Sequence, residues 1–173
     1  TPMDCSVLFT RHPDVLRRAF SLVPEYLTTP EGDPVVNYMD YGLQLGRRFR
    51  ALKLWMVVRA FGADGIAARI RHHCQLARTF ADWVSTEGEG WEVCAPVPFS
   101  TICFRHVPAG ETDEDEIAEH NAAIMVRVNE SGRVFISHTK LGDQYVLRVA
   151  IGNLRTTEAT LATAWALLRR AAG

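Results

Sequence analysis

Lysine is almost missing from this chain: of nineteen cationic side chains only Lys53 and Lys140 carry an amine, which leaves two places for any lysine-based covalent chemistry. Cysteine is sparse as well, and Cys5, Cys74, Cys94 and Cys103 form no CxxC pair. Their apolar surroundings point to buried reduced thiols, and no metal site is expected. The histidines form no HExxH or similar ligand pair, so His72, His73, His106, His120 and His138 read as surface or packing residues. No apolar run is long enough to cross a bilayer, and no signal peptide precedes the first apolar segment, so a cytoplasmic location is expected. A formal net charge of -1 argues against a polyanion-binding protein, nucleic acid included.

What is there is 173 residues with 47% apolar content, enough for one globular domain or slightly more. The chain opens on "TPMDCSVLFTR" without an initiator methionine, which reads as a buried strand over 5–10 and as the back part of a longer protein. "HPDVLRRAF" predicts a short helix entered through Pro13. Between Ser21 and Leu45 the periodicity is lost among prolines, glycines and acidic residues, a long connection of the kind that carries function. A helix is expected from about Arg47 to Phe61, ended by Gly62, and a second from Asp64 to about Val84. After "STEGEG" the pattern changes. "WEVCAP" and "STICFRHV" predict an antiparallel pair, "TDED" caps a helix running to Val128, "RVFISHT" and "QYVLRVAI" predict a hairpin, and a last helix starts near Thr156. This is an α+β arrangement, an antiparallel sheet covered by helices.

Three places stand out chemically. "LQLGRRFRALKLW" puts a glycine and a cluster of arginines at a helix start, where the helix dipole already favours an anion and where Gly46 lets a ligand approach the backbone. Solvent or the acidic loop before it would serve the arginines equally well. Arg148, flanked by small apolar neighbours on the strand "YVLRVAI", wants an anionic partner, either a substrate carboxylate or an internal Asp or Glu. Tyr26, in "VPEYLTT", is placed to swing over a site as a proton donor, or to sit on the loop as an ordinary tyrosine.

Taken in order, "MDCSVLFTR", "VPEYL", "LGRRFRALKLWMVVRAFG", "GIAARIRHHCQLARTF" and "QYVLRVAIGNLRTTE" resemble the group II pyridoxal-phosphate-dependent decarboxylases, and within them the aromatic-L-amino-acid decarboxylases. The resemblance covers essentially the whole chain and implies the C-terminal small domain of the type I transferase fold, with the end of the large domain at the N-terminus. It implies three parts: 1–45, the end of the large cofactor-binding domain and a mobile active-site loop; 46–84, connecting helices at a dimer interface; and 85–173, the small α+β domain. By the same resemblance Leu45 and Gly46 lie near the phosphate of pyridoxal 5'-phosphate held by the neighbouring subunit of a homodimer. Gly46 further resembles the position at which glycine accompanies DOPA-like or tryptophan-like substrates, Tyr26 the residue that protonates Cα, and Arg148 the strand arginine that approaches the substrate carboxylate in glutamate decarboxylases. Neither Lys53 nor Lys140 matches the lysine that binds the cofactor, so the resemblance implies a chain that is inactive without an N-terminal portion. Two other readings remain open: an independent anion-binding or regulatory module, and an aldehyde-forming relative, which Tyr26 argues against.

Overall fold

The computed structural model describes residues 4–21, 36–46 and 48–173. The chain divides into two compact units, Thr1–Ala63 and Asp64–Gly173.

In the first unit, helix α1 (Pro13–Phe20) begins as expected with proline in its first turn, where the missing N–H costs nothing. A short 3-10 turn covers Tyr38–Tyr41. Residues 5–10 form no strand, contrary to the expectation, and Val7, Leu8 and Phe9 are exposed, Phe9 by 91%. An apolar stretch becomes a strand only where a neighbour takes up its backbone groups, and no described segment does so here. Among the described residues of this unit, Asp40 alone is buried.

Helix α2 (Arg50–Thr86) starts three residues later than the sequence suggested and is interrupted at Gly62, whose φ of 66° and ψ of 171° lie in a region open essentially to glycine alone. The predicted helix stop is thus a break between two helical segments. No helix among the described residues is long and apolar enough to cross a membrane.

The second unit is built on a four-stranded antiparallel sheet in the order β1-β2-β4-β3, from β1 (Trp91–Val93), β2 (Thr101–His106), β3 (Ser137–Leu141) and β4 (Gln144–Ala150). Helix α3 (Glu114–Glu130) connects β2 to β3, and α4 (Glu158–Ala172) closes the unit. Local chemistry sets these boundaries. The Asp113 carboxylate accepts from the N–H groups of Asp115 and Glu116, and three acidic residues fill the first turn of α3. Thr157 and Thr160 form a reciprocal cap on α4. Gly142, at φ 61°, turns β3 into β4 between the paired residues Leu141 and Gln144.

β3 begins at Ser137, later than "RVFISHT" implied. The Asn129 side chain takes both backbone groups of Ile136, donating to its C=O at 3.0 Å and accepting from its N–H at 2.8 Å, which removes that residue from the strand ladder.

Alternation along β2 and β4 points Ile102, Phe104, Leu147 and Val149 to one face, where they join Phe80 and Val84 of α2, Ile124 and Val128 of α3, and Leu161, Trp165 and Leu168 of α4 in one buried cluster. Its centre is aromatic: Phe80 meets Phe104 edge-on at 5.5 Å between ring centres, and Trp91 meets Trp165 at 5.3 Å. The opposite face carries Cys103, Arg105 and Arg148.

Candidate functional site

Residues 5–8 and the start of α2 enclose a groove of about 510 Å3, walled also by Tyr38, Arg48 and Phe49. The question posed by the arginine cluster has a partial answer beside it. Asp4 pairs with the Arg50 guanidinium at 2.9 Å and with the Lys53 amine at 3.5 Å. Arg50, hydrogen-bonded to Asp4, holds that carboxyl down to about 2. This partner lies 46 residues upstream of Arg50, so nothing local in the sequence signals it. Arg48 remains exposed and forms no ion pair among the described residues.

Leu45 and Gly46 are exposed and precede the first helical residue by several positions. The first-turn amides are already engaged in part, since the Leu52 N–H donates to the Phe49 C=O at 3.3 Å. An anion near Gly46 would therefore be met by open backbone and by Arg48 more than by the helix terminus. Gly46 does offer that opening, because a side-chain carbon placed on it meets nothing within 4 Å. The open backbone at Gly46 and the Arg48 guanidinium, which has no ion pair among the described residues, are groups of a kind that a phosphate accepts from.

Arg148 belongs to the second unit. It stands opposite Cys103 of β2 and Ser137 of β3, and its guanidinium donates weakly to the Ser137 hydroxyl at 3.4 Å. No carboxylate among the described residues pairs with it, so the internal Asp or Glu considered from sequence is not found there. Arg105, two residues along the same face of β2, is saturated instead: it bridges Glu92 and Glu114 with its own side chain only 9% exposed. Tyr26 lies outside the described residues. Lys53 is held by Asp4, and Lys140 lies on β3, exposed.

One grouping has no counterpart in the sequence reading, and one reading is corrected. His106 and His120 approach to 2.8 Å between ring nitrogens, and both are shifted toward the neutral form by burial, His106 also by the neighbouring His120. Their separation of fourteen residues gives no helical or strand period that would have revealed them. The four cysteines are free and partly exposed rather than buried.

Residues 1–107 match the family model described as the pyridoxal-dependent decarboxylase conserved domain. Tyrosine decarboxylase 4 of Petroselinum crispum is 41% identical over 98% of this chain and 34% of its own length. Phenylacetaldehyde synthase of Arabidopsis thaliana is 39% identical over 99% of the chain and 35% of its own length. Among solved structures, Oryza sativa TDC with PLP and tryptamine superposes with a TM-score of 0.81 at 33% identity, covering 90% of this chain and 33% of that one. The chain thus spans about a third of the length of these relatives. It belongs to the pyridoxal-dependent decarboxylase family.

Proposed function

We propose that this chain is part of a pyridoxal-phosphate-dependent decarboxylase that converts an aromatic L-amino acid, of the DOPA, tryptophan or tyrosine class, to its amine and carbon dioxide. The observation that carries the reading is the 41% identity to a tyrosine decarboxylase across 98% of the chain. The likeness to a TDC structure holding tryptamine supports the same substrate class.

Pyridoxal phosphate, when bound, supplies the ring that accepts the electrons left behind as carbon dioxide departs. Leu45 and Gly46 would flank its phosphate from the neighbouring subunit of a homodimer, and Gly46, lacking a side chain, would leave room for an indole or catechol ring. Arg148 orients the substrate carboxylate, a role supported by its having no internal carboxylate partner among the described residues. Tyr26 delivers the proton to Cα and excludes water as its loop covers the site. Neither lysine of the chain takes the cofactor's carbonyl, so catalysis requires the N-terminal portion of the same enzyme. In that enzyme residues 1–45 complete the large domain, 46–84 form the connection at the dimer interface and 85–173 the small domain, in the cytoplasm. The exposed apolar side chains of the first unit, Phe9, Leu43 and Phe49 among them, support cover by further protein surface.

The test is product analysis of the intact enzyme with DOPA, tryptophan and tyrosine, with and without Tyr26→Phe. Amine formation by the parent and its suppression in the variant are expected; undiminished amine in the variant removes Tyr26 from catalysis. The aldehyde-forming reading is favoured by the 39% identity to phenylacetaldehyde synthase. Hydrogen peroxide and ammonia released by the parent enzyme in place of amine would establish it.

A further inference from the structure

On the sheet face turned away from the core, one row of side chains runs Cys94, Cys103, Arg148, Ser137. Cys103 stands opposite Arg148, and Arg148 opposite Ser137. The Cys94 N–H donates to the Cys103 C=O at 2.8 Å, one step beyond the Val93–Phe104 pair, so the two cysteines are direct cross-strand partners with side chains on one face. Hydrogen-bonded antiparallel partners hold their Cα atoms about 5.5 Å apart, inside the span that disulfides bridge. Cys94 follows β1, a three-residue strand at the sheet edge, so a closing movement of roughly 1–2 Å between Cβ atoms leaves the central strands in place. Both thiols are free and partly exposed, so a small oxidant reaches them.

We propose that Cys94 and Cys103 are an oxidisable dithiol that hydrogen peroxide closes to a cross-strand disulfide. The Cys103 sulfur attacks the peroxide oxygen, the O–O bond breaks, and Cys103 becomes a sulfenic acid as hydroxide leaves to become water. The Cys94 thiolate then attacks that sulfur, the S–O bond breaks and a second water departs. Two electrons pass from the sulfur pair to the peroxide, and two thiol hydrogens leave in water. The second step is slow, because burial, and then Glu92, push the Cys94 thiol up to about 11 against the opposing charge of Arg105. The groups facing it are Glu92 from β1, Arg105 and Cys103 from β2, and Glu114 from α3. The inference holds whether or not the protein decarboxylates.

The experiment exposes the intact native protein, carrying Cys5→Ser and Cys74→Ser, to hydrogen peroxide, blocks remaining thiols with N-ethylmaleimide, and digests with trypsin and chymotrypsin. Cys94 and Cys103 share one tryptic peptide, and cleavage after Phe99 separates them. A disulfide then appears as residues 92–99 joined to 100–104, lighter by two hydrogens and free of maleimide. Linkage is expected at least about tenfold faster in the folded protein than in urea, the proximity the sheet imposes outweighing the smaller Cys94 thiolate fraction of the folded state. It should accelerate about tenfold per pH unit between about pH 7 and pH 9, as the Cys94 thiolate fraction rises. With Cys94→Ser, Cys103 should be trapped by dimedone as the sulfenic acid. Complete alkylation of both thiols after peroxide treatment, or equal linkage rates in folded and unfolded protein, overturns the proposal.

Discussion

Replacing Asn121 by alanine tests how the end of β2 is fastened to α3. The side chain is fully buried and makes three hydrogen bonds. Its Oδ1 accepts from the His106 N–H at 2.9 Å, and its Nδ2 donates to the His106 C=O and to the Ile117 C=O, both at 2.8 Å. The Ile117 carbonyl sits in the first turns of α3 and keeps its helical partner after the substitution. The two groups of His106 do not, and they are left in a part-buried position. At about 1–1.5 kcal/mol for each orphaned backbone group, the loss is about 2–3 kcal/mol. Alanine returns roughly 0.6 kcal/mol through its better helix propensity, so the net destabilisation is about 2 kcal/mol. With a urea slope of about 2 kcal/mol per molar, the unfolding midpoint followed by the fluorescence of the core residues Trp91 and Trp165 should fall by about 1 M. A fall of less than about 0.3 M at unchanged slope would refute the view that this one side chain holds the junction.

The His106–His120 pair sets a second expectation, because both imidazoles are held below the ordinary value of 6.5, chiefly by burial. Above that value neither state takes up a proton and stability is flat. As pH falls through 6.5 the unfolded chain binds protons that the folded pair resists, and stability declines. The urea midpoint should therefore be lower at about pH 5.5 than at about pH 7.5, and His120→Gln should shrink the difference; a midpoint that rises on acidification would contradict the direction of both shifts. Gly90 and Gly110 separate backbone strain from contact, since both have positive φ, 74° and 82°. A Cβ on Gly90 would lie 2.6 Å from the Val107 carbonyl oxygen, whereas one on Gly110 meets nothing within 4 Å. Gly110→Ala should cost about 1 kcal/mol and Gly90→Ala at least about twice that, and equal midpoint losses would show that the Val107 contact is relieved at no cost.

Where the sequence was informative, the signal was short-range. Asp113 and the acidic turn after it locate α3, Thr157 locates α4, and alternation along "YVLRVAI" separates Leu147 and Val149, which lie in the core, from Arg148. Errors arose where a distant residue decides. The start of β3 is moved by Asn129, which engages Ile136 from the end of α3. Arg50 and Lys53 meet Asp4, which precedes α1 in the chain, a partner the sequence did not suggest. The carboxylate expected as one possible partner of Arg148 goes to Arg105 instead, through Glu92 and Glu114, although both arginines lie on the same sheet face. Hydrophobic period and charge identify which residues want partners; only the fold assigns which partner each obtains. The reading of Tyr26 rests on resemblance, and the residue lies outside the described ones.

The strand expected over 5–10 and the helical stripe of α2 make the same point from opposite directions. Both stretches are apolar in a pattern that calls for a covering surface, and in both the side chains stay exposed: Phe9 by 91%, Trp55 by 59%, Met56 by 57%. Exposure of that much large apolar area in neighbouring segments is unfavourable for an isolated soluble chain, at roughly 25 cal/mol for each Å2 left in water. The second unit exposes Phe99 and Phe135 as well, but it also has a core of its own, in which Phe80, Phe104, Leu147 and Leu168 are fully buried. An apolar period thus identifies side chains that favour burial without showing that they obtain it. Over 5–10 the period alone did not make a strand, because no described segment pairs with its backbone.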